Sequence, residues 1–309
     1  MTGYVVRRAL GLVPLLWAVA TVTFVLMHAV PGGPFSTDER PLPDATVEAL
    51  ERKYGLDESA LGQYRTFMAN LVRGDLGLSF QQNRPVTAIL SERAGPTVQL
   101  GLYAFVFAVV VGSVAGVISA VHRNRWPDYA GVAFTTVAAG VPGFVIAVVL
   151  VIVFALELGW ADVLGWEAAN PRKFVLPTIA LGLLPAAYLG RIIRAALIEA
   201  LGQDYVRTAR AKGLAERHVL FRHAARNAMI PVLTVSGPIL AGLVTGSFII
   251  EQVFEIPGIG RAFVRAVQTR DYGMIMGATL LYAAVIAVLN LAVDVLYGVV
   301  DPRTRVAPR

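Results

Sequence analysis

The sequence predicts an all-α integral membrane protein: six transmembrane helices with a small helical insert on the outer side. Three observations carry this. Of the 309 residues, 56% are hydrophobic and only 16% are charged, where a soluble globular chain carries about a quarter. Stretches of the ~20 residues needed to cross the hydrocarbon core lack a polar face, so the solvent they suit is lipid. Lys and Arg gather in alternate loops, the pattern that orients a multi-span chain.

The first span is Ala9–Val30, which contains no charged residue. Arg7 and Arg8 precede it as they would a signal peptide. Its apolar run, however, exceeds the ~7–15 residues of a signal core, and Val30-Pro31-Gly32 is a poor cleavage site. Residues 1–30 are therefore read as a tail and first helix. Pro31, Gly32, Gly33 and Pro34 stop that helix and open an insert over 31–96. Within it, Thr46–Tyr54 and Leu61–Arg73 show apolar residues at helical spacing, which predicts a small helical cap on the outer face. The membrane core spans 97–309. Its spans are Thr97–Val121, Tyr129–Leu156 (long enough to cross with tilt), Phe174–Gly190 (short, with Pro177 and Pro185), Ala228–Ile250 (with Pro231 and Pro238) and Gly273–Val300.

With the N-terminus inside, the inner segments 1–8, 122–128, 191–227 and 301–309 carry net charges of +2, +1, +5 and +2. The outer segments 31–96, 157–173 and 251–272 carry −2, −1 and 0. Every inner segment is positive, so both termini are expected to be cytoplasmic. The same loops account for the chain's +6 without nucleic acid, since no basic run of five, zinc spacing or RNA signature occurs.

Nothing in the sequence argues for an enzyme. There is no cysteine, hence no disulfide or thiol chemistry. No phosphate-cradling G-x-x-x-x-G-K-[ST] run, H-E-x-x-H or dinucleotide fingerprint is present. His28, His122, His218 and His223 are dispersed, so no metal site and no catalytic residues are predicted. The spans contain one acid, Asp294, placed toward the inner interface and read as an intramembrane acid that faces protein or water. Ion-coupled carriers usually place several ionisable groups at mid-membrane, which counts against a carrier or channel working alone.

The most informative stretch is the loop Arg191–Asn227. Eight basic residues stand there against Glu199, Asp204 and Glu216. Ile198, Leu201, Tyr205, Val206 and Ala209 recur at helical spacing before Gly213, a residue suited to the left-handed stop of a helix. A second pattern, Val219 to Ala225, leads into the fifth span. Two readings remain open on spacing alone: a basic helix lying on anionic headgroups, or a docking element for a soluble partner. Pro142, Pro177, Pro185 and Pro238 fit kinks that are either static or hinge-like. Gly112-x-x-x-Gly116 and Gly242-x-x-x-Gly246 are candidate close-packing sites between helices.

At these residues the chain resembles a known family. Asp204-Tyr205-Val206-Arg207-Thr208-Ala209-Arg210-Ala211-Lys212-Gly213-Leu214, then Arg222-His223 and Arg226-Asn227-Ala228-Met229-Ile230-Pro231, is similar to the cytoplasmic "EAA" loop of ATP-binding-cassette (ABC) importer permeases. The form is that of the dipeptide/oligopeptide branch, and the long insert after the first span is typical of its B-type subunit. Further similarity covers Pro31–Pro34, Tyr54–Asp57, Arg73–Ser79, Arg84–Val86, Phe254–Gly260, Arg270–Tyr272, Asp294 and Asp301–Arg303, nearly the whole chain.

The resemblance implies a type I importer permease (MetI-like) fold in the bacterial inner membrane, with no activity of its own. Its expected partners are a second homologous permease of C-type, one or two ABC ATPase subunits that bind ATP and Mg, and an extracytoplasmic solute-binding protein. Residues Arg207–Gly213 would be the coupling helix seated in an ATPase groove. The branch also includes permeases resembling those for nickel complexes, glutathione and oligosaccharides. Two departures stand out: Gly33 replaces the usual acid after the first span, and Ala215 replaces a Ser N-cap, whose loss costs about 1 kcal/mol.

Overall fold

The computed structural model describes residues 2–30, 33–35, 43–162, 165–167 and 169–300, including side chains except at 2–5, 44 and 294–300. Helices dominate. Among the described residues, five are long and apolar enough to cross a membrane: Thr2–Ala29 (α1), Val86–Val121 (α4), Pro171–Leu201 (α7), the run Glu216–Val253, and Tyr272–Val300 (α13). A bent pair, Trp126–Gly140 (α5) and Gly143–Leu150 (α6), the latter prolonged by a π-helical turn over Val151–Glu157, makes a sixth when counted as one span. The two arms meet at 102°.

The bend falls at Pro142, one of the prolines expected to kink a span. Val141 is extended (φ −96°, ψ 126°), as a residue before proline tends to be. Pro142 then occupies the N-cap of α6 and cannot donate to the preceding turn. The fourth span differs in the other direction. Instead of a short Phe174–Gly190, α7 runs 31 residues, with Pro177 and Pro185 inside a continuous helix. It is also the most enclosed of the spans, so neighbouring helices rather than lipid cover it.

The chain divides into two compact units, residues 1–97 with 257–309, and residues 98–256. In the first, α1 packs along α13. Between them in sequence lie Asp44–Tyr54 (α2), Ala60–Val72 (α3) and a short hairpin, Leu78–Ser79 (β1) with Arg84–Pro85 (β2), paired antiparallel as Leu78↔Pro85 and Ser79↔Arg84. Helix α2 ends at Gly55 in the left-handed region, where the Leu56 N–H reaches back to Glu51 O. Ser59 caps α3 by accepting from the Gly62 N–H. Thus the expected helices at Thr46–Tyr54 and Leu61–Arg73 are present, while the hairpin and the start of α4 at Val86 were not anticipated. Amphipathic Ile259–Gln268 (α12) buries Ile259, Ala262 and Ala266 against Val86, Ile89 and Met274. The buried Asp271 carboxylate accepts from the Ser79 hydroxyl and, at 3.0 Å, from the Phe80 N–H, fixing the hairpin to the start of α13.

In the second unit α7 is central, packed by α5, α6 and Ala225–Val244 (α10). The 98–121 part of α4 reaches α7 through small residues. A Cβ on Gly112 would lie 2.7 Å from Ala186 O, and one on Gly116 2.7 Å from Gly190 O. The first glycine pair is therefore a helix-packing contact, the close backbone approach that small residues permit in lipid. Gly242 is not such a contact: it faces open space, and Gly246 stands at φ +88° after α10, before Phe248–Val253 (α11). There the glycine serves a turn.

Candidate functional site

The segment joining α7 to α10 is built as a helix keyed sideways into the bundle. Helix α7 continues past residue 191 and ends at Leu201, with Gly202 as its C-cap. The chain turns at Gln203 and enters Asp204–Ala211 (α8). The apolar periodicity from Ile198 to Ala209 thus crosses a helix break rather than marking one helix. Asp204 places negative charge in the first turn of α8, where the helix dipole favours it.

Helix α8 presents two faces. Val206 and Ala209 are buried in one cluster with Ile193, Leu197 and Ala200 of α7 and with Val219 and Ala224. Burying a valine side chain is worth about 1.5–3 kcal/mol, so this seam ties α8 to both neighbouring helices. Of the residues singled out from the sequence, Asp204, Tyr205, Arg207, Thr208, Arg210, Ala211, Lys212, Gly213 and Leu214 are exposed, while Val206 and Ala209 point inward. The side chain of Asp294 lies outside the described residues.

The end of α8 is a complete Schellman turn. Gly213 has φ +75°, its N–H donates to Arg210 O at 2.9 Å, and the Leu214 N–H donates to Ala209 O at 3.4 Å. Across this turn the Arg210 guanidinium grips Glu216 with two bonds, 2.8 and 3.2 Å. The hydrogen bond to Glu216 raises the arginine above its ordinary pKa, so this pair acts as an internal brace. At the start of α8, Arg207 pairs with Asp204 at 3.5 Å with both side chains exposed, and the Thr208 hydroxyl donates to Asp204 O. Ala215 precedes Glu216–His218 (α9) without any side-chain cap, as its replacement of Ser implied. Helix α9 passes through a π-helical turn, Val219–Ala224, into α10.

Sequence reasoning missed the tie at the root of the loop. Arg194 on α7 binds Asp128 in the first turn of α5 with two bonds, 2.6 and 2.8 Å, and the Asp128 side chain is only 3% exposed. Asp128 also accepts from the Asn124 N–H. The one available signal was a lone acid at the start of an apolar span, inside an otherwise basic loop.

Comparison with known proteins agrees with this architecture. A family model described as "Binding-protein-dependent transport system inner membrane component" matches residues 112–306, and its N-terminal counterpart matches residues 1–101. The glutathione transport system permease protein GsiC of Escherichia coli O6:H1 is 40% identical over 306 residues, covering 99% of both chains, and that of Shigella dysenteriae serotype 1 matches equally. Among solved structures, a chain of the inward-facing MetNI methionine ABC transporter aligns with a TM-score of 0.55 at 17% identity, over 70% of this chain and 97% of that one. A chain of an amino acid ABC transporter aligns with a TM-score of 0.54 at 17% identity, over 68% and 93%. These two likenesses bear on the fold.

Proposed function

Because this chain belongs to the family of binding-protein-dependent transport system inner membrane components, the non-catalytic permease subunits of ABC importers, we propose that it forms part of the pathway for a peptide-class solute. The proposed solutes are di- and oligopeptides or related small molecules. Its relatives named for glutathione, itself a tripeptide, support that class. The pathway is completed by a second, C-type permease. A solute-binding protein delivers from outside, and one or two ABC ATPases drive the cycle with ATP and Mg. The distribution of Lys and Arg supports an orientation with both termini and the 191–227 segment in the cytoplasm.

The observation that carries the coupling role is the two-faced α8. Its exposed face offers Tyr205, Arg207, Lys212 and Leu214 to a partner, while Val206 and Ala209 lock the opposite face to α7 and α10. A push from the ATPase on α8 is passed to two spans at once, because a packed seam shifts as a body rather than deforming continuously. The Arg194–Asp128 pair extends that body to α5.

The test is co-purification of the ATPases with the permease, followed by ATP-dependent peptide uptake in vesicles. Lys212→Glu combined with Tyr205→Ala changes only exposed residues. It is expected to release the ATPases while the permease still inserts and pairs with its partner permease. Normal uptake with the ATPases still bound would remove the coupling assignment.

A further inference from the structure

A cavity of about 580 Å³ lies in the first unit, lined by the hairpin tip, the start of α4, and α12. Its walls carry three arginines, Arg93 from α4 and Arg261 and Arg265 from α12, together with Gln81, Gln82 and Thr269. Arg261 and Arg265 are one helical turn apart, so their side chains leave the same face of α12. The adjacent face holds buried Ala262 and Ala266, which also line the cavity beside the two arginines. Arg93 stands one turn before Thr97, where the apolar run of α4 begins. The cavity therefore sits at the boundary between membrane and water.

The nearby acids are already committed. Glu92 pairs with Arg84. Asp271, though it forms part of the wall, has its carboxylate occupied by the Ser79 hydroxyl and by backbone N–H groups of Phe80 and Met274. Among the described residues, Arg93 and Arg265 have no carboxylate within ion-pairing distance. Gathering like charges around one space, with Arg93 and Arg265 lacking a carboxylate, costs energy that an anion would recover, and guanidinium groups suit carboxylates in particular because they bind them bidentately. The volume falls in the range of small-molecule sites, about 300–1,000 Å³. The glutamine amides and the threonine hydroxyl can serve the amide groups of a short peptide.

We infer that this cavity is a binding station for the carboxylates of a di- or tripeptide-sized anionic solute, selecting acidic solutes at the water-facing mouth of the permease. The inference rests on the peptide-class function proposed above. The same chemistry could be met by the phosphate of an anionic lipid, and the experiment separates the two.

The full chain, purified into lipid discs of phosphatidylcholine, is titrated with reduced glutathione and with its diethyl ester, which lacks free carboxylates. The acid is expected to bind at least tenfold tighter than the ester. In Arg93→Gln/Arg265→Gln, which removes two charge-assisted contacts, acid binding should fall at least tenfold, with ester binding and thermal unfolding unchanged. Arg265→Lys, which keeps the charge, should stay within a fewfold of wild type. Equal binding of acid and ester by wild type, or an unchanged preference in the double variant, would overturn the site. So would loss of glutathione binding when phosphatidylglycerol is added to the discs, since the cavity would then belong to lipid. Binding here needs no ATPase. A wild-type complex that binds glutathione yet takes up no peptide would therefore refute the proposed function and leave the site standing.

Discussion

Gly213 offers the most discriminating perturbation, because the structure separates two reasons why it could matter. At φ +75° it occupies a region that costs an L side chain roughly 1–2 kcal/mol, and a β-branched residue fares worst there. Yet a Cβ at this position would meet nothing within 4 Å in the chain itself. Any clash must come from a partner. Gly213→Val should therefore leave the membrane bundle intact while opening the Schellman turn that holds the end of α8. If an ATPase binds only the closed turn, each 1.4 kcal/mol of opening lowers its affinity about tenfold. Gly213→Asn provides the contrast, since Asn enters the left-handed region at little cost but still adds a side chain. The assay is ATPase retention on purification, then solute-stimulated hydrolysis, with insertion checked by protease resistance. Loss with Val and retention with Asn would place the requirement in the turn; equal loss with both would place it in the space against the partner. Full retention and uptake by Gly213→Val would refute the coupling role of α8.

Other expectations follow from particular contacts. Asp128→Asn leaves the Arg194 guanidinium partly buried and without its counter-charge, so stability should fall by about 1–3 kcal/mol. Adding Arg194→Gln should then cost little more in the same denaturation assay, whereas additive losses would show the two residues act separately. Gly116→Leu would drive its Cβ against Gly190 O and Ile193 and should prevent folding or expression, while Gly242→Ala, facing open space, should be neutral by the same measure. Because the chain has no cysteine, Ala60→Cys beside the α3 cap and Ala215→Cys can be probed in intact cells with an impermeant thiol reagent. Position 60 should label and position 215 should be protected, and the reverse result would invert the proposed orientation.

What was legible in the sequence is what depends on a residue's own neighbours in the chain. Lipid-facing stretches announce themselves by length and apolarity, and the five long apolar helices follow from that. Gly213 is legible because a glycine after a helical pattern has few other uses, and the stop it marks is present at φ +75°. The same local logic fails where the turn is hidden in an ordinary residue. Glu255 and Arg270 hold φ +50° and +53°, yet neither residue type signals a left-handed position. It also fails where one pattern serves two ends. Gly112/Gly116 and Gly242/Gly246 share a spacing, but Gly112 and Gly116 meet another backbone while Gly242 meets nothing, and no one-dimensional period distinguishes them. The 102° bend at Pro142 and the unbroken run through Pro177 and Pro185 show the same thing for proline. A freed carbonyl can be satisfied where neighbouring helices enclose the segment, as they do around α7, and the helix continues. The least legible features are those assembled from distant parts. Asp128 finds Arg194 sixty-six positions away, and the arginines of the cavity come from either side of a whole second unit. Each is unremarkable in its own loop, and its chemistry comes only from what the fold sets beside it. Charge in a membrane protein is therefore informative at two scales. Counted along the chain it argues for an orientation. Gathered in space, three like charges in one cavity pose the question of which anion they hold.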